Sequence, residues 1–188
     1  MPIIVSESAK KDRLLPPADT MQAVCYDVWP LGKQRSVFKD EVKILDKVRI
    51  AWELDETIPK GEYAGKRFTI SAAYTLSLHK KAKLRLMLEA WRGRPFTEEE
   101  LKGFDLEKLI GINAMLTVVH SEDGQYANVG SVVKPPKNLP HMTPENPRGT
   151  PEWIKKIQAA AIKDEEVPMD AIEPAEIVEA PEEESVPF

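Results

Sequence analysis

Between residues 29 and 43 the chain interleaves rings and cations: Trp29, Lys33, Arg35, Phe38, Lys39 and Lys43. Those side-chain types suit one task, in which cations neutralise phosphates along a backbone while flat rings take up bases at about 1 to 3 kcal/mol each. The same types recur downstream as Lys47 and Arg49, then Tyr63, Lys66 and Arg67, then Tyr126 and Lys134. Trp29, Phe38, Tyr63 and Tyr126 fall in expected loops or on the polar parity of a strand, so they are the stacking candidates. Trp52, Phe68, Tyr74 and Trp91 share parity or helical spacing with apolar neighbours and read as core. The competing reading of each cation is an ordinary solvated charge. The further basic run from His79 to Arg94 reads as the wet face of a helix.

Covalent chemistry finds few candidate residues. The sequence has no glycine-rich phosphate loop and no histidine pair at metal spacing; His79, His120 and His141 are scattered. The single cysteine, Cys25, excludes an internal disulfide and reads as a small core residue. The expectation is a protein that is not an enzyme and needs no metal or cofactor.

Positioning those residues requires elements that the hydrophobic pattern supplies. Thr20–Trp29 is extended and ends at Pro30-Leu31-Gly32. In 47–54, Val48, Ile50, Trp52 and Leu54 share one face, while Lys47, Arg49, Ala51 and Glu53 share the other. After turn signals at Pro59, Gly61 and Gly65, a third strand runs over 67–76 and pairs with the second. Ser77 then predicts the cap of a helix through Leu84, Leu88 and Trp91, stopped by Gly93 and Pro95. Thr97 and Glu100 have capping-box spacing, and a further turn covers 106–110. Strands over 112–120 and 125–133 flank Asp123-Gly124, a hairpin dipeptide.

Three strands, a helical insertion and two strands predict a mainly β fold of α+β type: a five-stranded OB-fold barrel with its helix between strands 3 and 4. An SH3-like barrel lacks so large an insertion, and a ferredoxin-like fold needs a helix after the first strand, where Pro30 and Gly32 argue against one. The expected organisation is an N-terminal arm at 1–19, the barrel at 20–137, a Pro-rich linker at 138–150, a short amphipathic helix at 151–163 and a disordered acidic tail at 164–188. Prolines 135, 136, 140, 144, 147 and 151 mark the linker region. Thr150 predicts the helix cap, with Pro151 in the first turn and Trp153, Ile154 and Ile157 on one side.

Charge divides along the same line. The net charge of −5 sums +3 over residues 1–150 and −8 over 151–188. A mildly basic body beside an acidic tail allows polyanion binding despite a sequence pI near 5.4, because local field decides it. No apolar run approaches the roughly 20 residues that span a bilayer, so membrane association is not expected and a cytoplasmic protein is.

The chain closes Glu182-Glu183-Glu184-Ser185-Val186-Pro187-Phe188. This acidic tip resembles that of the bacterial single-stranded DNA-binding proteins, although it uses Glu where those usually carry Asp, and it follows a Pro-rich linker. The segments 47–54 (KVRIAWEL), 68–79 (FTISAAYTLSLH) and 91–97 (WRGRPFT) resemble a family of small proteins from tailed-phage replication and recombination modules. That resemblance implies an OB-fold protein that coats single-stranded DNA in the bacterial host cell. It also implies that Glu182, Glu183, Glu184, Pro187 and Phe188 recruit replication or recombination proteins. Homo-oligomerisation stays open. The rival expectation is an interaction scaffold whose acidic tail binds a basic partner or mimics DNA; a regulatory subunit of a nuclease or helicase is a third.

Overall fold

The structure, a computed structural model, describes residues 14–38 and 41–162. Residues 1–13 of the expected N-terminal arm and the whole acidic tail lie outside the described residues. Five strands form one open antiparallel sheet: β1 (Thr20–Phe38), β2 (Glu41–Thr57), β3 (Arg67–Thr75), β4 (Asn113–His120) and β5 (Ala127–Val133). Their order is β3-β2-β1-β4-β5, and the edge strands β3 and β5 curl into contact, giving a barrel-like shape. Between β3 and β4 lie α1 (Lys83–Arg92), α2 (Glu98–Lys102) and a 3-10 turn (Leu106–Leu109); α3 (Glu152–Ala159) follows β5.

The main core lies on the concave side. Val48, Ile50, Trp52 and Leu54 bury there as their alternation requires, with Phe68 and Ile70 of β3 and Ala114, Leu116 and Val118 of β4. Leu84, Leu88 and Trp91 place one face of α1 against it, and the Trp91 indole N–H donates to the Asn113 carbonyl at 2.8 Å. Gly93 ends α1 in the left-handed conformation (φ 67°), its amide donating to the carbonyls of Glu89 and Ala90. The Thr97/Glu100 capping box forms as its spacing predicts.

Several local expectations need correction. Ser77 does not cap α1: its hydroxyl accepts from the His79 amide, and the helix starts at Lys83, after Ala82. The hairpin turn is not two residues long; residues 121–126 connect β4 to β5, and the Asp123 carboxylate accepts from the Ser121 hydroxyl and the Gln125 amide. Thr150 makes no side-chain cap for α3, whose N-cap is Pro151. The largest correction concerns β1, which passes through Pro30 and Gly32 to Phe38 instead of stopping. Register shifts at Cys25/Asp27 and Pro30/Gly32 accommodate the missing proline donor and the positive φ of Gly32. The expected basic loop is therefore a two-stranded ribbon, residues 33–38 paired with 41–46, extending beyond the part of β1 that pairs with β4.

Candidate nucleic-acid interface

The face of β1 and β2 opposite the core should, from alternation, present polar side chains to solvent. In the structure it is covered. Residues 140–149 cross it as a strap, and four buried polar side chains, Gln22, Asp27, Glu53 and Asn113, all bond to that strap. Gln22 donates to the Pro140 carbonyl at 2.6 Å, and Asn113 both accepts from the Met142 amide and donates to its carbonyl at 2.8 Å. Glu53, fully buried, accepts from the amides of Glu145 and Asn146 and from the Asn146 side chain at 2.7 to 3.0 Å. Asp27 accepts from the Gly149 amide at 2.8 Å. In a segment rich in prolines few amides remain, and those that lie against the sheet need acceptors; the buried carboxylates and the Asn113 amide supply them. The Pro-rich linker expected at 138–150 is thus bound to the sheet through residues 140–149.

Beyond the strap, α3 docks on the same face. Ile154 buries completely among Trp29, Leu31 and Ala51, a second small core with Tyr26 and Ile157 at its margin. Trp29 is corrected accordingly: it is neither in a loop nor available for stacking, being 3% exposed with its indole N–H donating to the Gly149 carbonyl. The ring is buried by Gly149 of the strap and Ile154 of α3, which cover the face it occupies; the bulge at Cys25/Asp27 sets which face that is. It adds a residue, so Ala23 and Cys25 face the main core while Trp29 and Leu31 face the other way.

The remaining predicted residues divide into three groups. Arg67 is engaged by the covered face, pairing with Glu53 (3.5 Å) and Glu145 (3.0 Å) and donating to the Thr143 carbonyl. Arg49 lies under α3, its guanidinium 5.2 Å from the Trp153 ring centroid and bonded to the Ser71 hydroxyl; desolvation lowers its pKa. A second group sits on or beside the ribbon at one end of the sheet: half-buried Lys33 and Lys43, exposed Arg35, Phe38 as the last residue of β1, and half-buried Lys47. Lys39 lies outside the described residues.

The third group is at the opposite end. Strand polarity brings the β2–β3 loop and the β4–β5 connection to that end. Tyr63 is 54% exposed with the Lys66 ammonium 5.5 Å from its ring centroid, and Tyr126 is 63% exposed. Lys134 instead leaves β5 beside α1, where its stem lies against Gly93. In the basic run that includes α1, Arg85 pairs with Glu89, and both Arg92 and Arg94 pair with Glu100. The tip residues Glu182, Glu183, Glu184, Pro187 and Phe188 lie outside the described residues.

Burial, with Asp27 beside it, pushes the Cys25 thiol up to about 12, so it stays protonated inside the core. Among the described residues no group of three or more His, Cys, Asp or Glu could hold a metal ion, and no helix is long and apolar enough to cross a membrane. No family model, curated protein or solved structure matches the chain.

Proposed function

We propose that the protein binds single-stranded DNA without sequence preference through an OB-type barrel, and that its acidic tip recruits replication or recombination proteins in the bacterial cytoplasm. The observation that carries the reading is the disposition of basic and aromatic side chains at the two ends of the sheet. A ribbon bearing Lys33, Arg35 and Lys43, with Lys47 at its base, extends from one end, and Tyr63, Lys66 and Tyr126 are exposed at the other, so a strand crossing the sheet would meet cations first and rings last. Strand order and the helical insertion between β3 and β4 agree with the OB connectivity.

A second reading rests on the strap and α3. They cover much of the outer face of β1 and β2, which favours a protein-binding scaffold with no nucleic-acid role. Fluorescence anisotropy of a labelled oligo-dT, with duplex competitor and at two salt concentrations, separates the two. The expected result is salt-sensitive binding that duplex does not displace, weakened by the double change Arg35→Glu with Lys47→Glu. Removal of residues 164–188 should strengthen binding at low salt, because 10 acidic residues with no basic ones leave the chain. No binding by the full or the shortened chain would decide for the scaffold.

A further inference from the structure

Of the chain's four tryptophans, Trp29, Trp52 and Trp91 are 3%, 0% and 2% exposed, whereas Trp153 is 45% exposed. The docking of α3 does not require that ring at the surface, since Ile154 supplies the buried contact. Nor is the ring loosely held. The helix that carries it is fixed by Gln158 donating to the Pro30 carbonyl (2.6 Å) and by the Ile162 amide donating to the Lys33 carbonyl (2.9 Å). The edge of Trp29 meets the indole at 5.8 Å and 82°.

Beneath the indole lies a cation that has no carboxylate partner among the described residues. Arg67, on the neighbouring strand β3, has two carboxylates; Arg49 has none among the described residues, only the Ser71 hydroxyl at 3.2 Å, and its Nε is buried without a partner. A partly buried guanidinium without a counter-charge is costly, and an anion nearby relieves that cost. Lys47 shares the outward parity of Arg49 on β2.

We infer that Trp153, backed by Arg49, is a stacking platform for one base of a single strand, so that α3 extends the binding surface and does not merely cover it. The inference rests on the single-strand-binding reading above. The indole offers a rigid π-face of the kind bases stack on, and Arg49 with Lys47 supplies positive potential for the phosphate that accompanies the base.

The test uses the full chain, oligo-dT and two readouts, tryptophan emission and anisotropy of the labelled oligonucleotide. Trp153 is the one tryptophan open to solvent, so stacking on it should quench the emission fraction that acrylamide reaches. Trp153→Ala should abolish that quenching and weaken binding about 5- to 150-fold, the loss of one stacked base, while Trp153→Phe retains most of the affinity. Both variants alter an exposed ring, and unchanged thermal melting verifies their fold. Wild-type binding by anisotropy without quenching, and with Trp153→Ala equal in affinity, would overturn the platform and leave single-strand binding standing. No anisotropy change at all would overturn single-strand binding, and the platform with it.

Discussion

The two faces of β2 carry the same alternation and lead to different structures. Its inner residues, Val48, Ile50, Trp52 and Leu54, meet an apolar core built from the sheet and α1. Of its outer residues, Arg49, Ala51 and Glu53 meet a strap and a helix that arrive about 90 to 100 residues later in sequence. Burial of apolar area stabilises the first face with little need for directed contacts. The second is held by specific hydrogen bonds from Glu53, Asp27, Asn113 and Gln22, with only a few apolar residues around Ile154. The inner face therefore determines whether the sheet exists, and the outer one what is presented on it.

Truncation on each side makes that difference measurable. Trp52→Ala empties the centre of the main core, where the ring is fully buried and tilts against Trp91 at 5.8 Å, and should cost about 3 to 5 kcal/mol in global stability by denaturant titration. Ile154→Ala should cost about 2 to 4 kcal/mol, but locally: hydrogen exchange should accelerate in α3 while amides of β2 keep most of their protection. Equal loss of protection in β2 for both variants would show one cooperative unit and erase the distinction. A smaller effect, about 1 to 3 kcal/mol, is expected for Glu53→Gln, which replaces an acceptor-only carboxylate by a group that presents a donor to the amides of Glu145 and Asn146. Protease cleavage within 140–149 should then precede global unfolding; cleavage at the wild-type rate would show that the strap does not depend on Glu53.

The inner face was legible because period-two alternation is a local property: Lys47–Leu54 needs no knowledge of what lies opposite. Gly93 and the Thr97/Glu100 pair were legible for the same reason, since each cap is satisfied within a few residues. The outer face was not. Glu53 reads as one residue of the polar face of its strand, nothing local sets Asp27, Gln22 or Asn113 apart, and only the partners at 140–149 reveal all four as acceptors and donors for a strap. The prolines that mark a linker also suit an extended segment lying on a sheet, so composition alone could not tell a free one from a bound one. For the candidate interface, Tyr63 could be placed at an exposed turn from its flanking glycines, while Tyr126, expected within the strand 125–133, lies exposed in the connection before β5. Trp29 could not be placed, because the residues that bury it, Gly149 and Ile154, arrive about 120 residues later in the chain.

The smallest effect sharpens the comparison to two glutamates. Glu53 is sealed beneath the strap, whereas Glu100 works at the surface of the insertion, accepting from Arg94, from the Thr97 amide and from Arg92. Those contacts, the Arg94 hydrogen bond first, hold the Glu100 carboxyl down to about 2 from an ordinary value of 4.5. A depressed folded-state pKa contributes stability that is present above the unfolded value and is lost as pH falls through the folded one. The melting-temperature difference between wild type and Glu100→Gln should therefore be full at neutral pH, narrow between about 4.5 and about 2, and close below that. It should also shrink in high salt, since these cations are partly solvated and exposed pairs are screened. A difference that stays constant across that pH window would mean that the guanidinium contacts do not distinguish the ionised from the neutral carboxyl, and that the corner is held by the Thr97 cap and the packing of Phe96 on Phe104 instead.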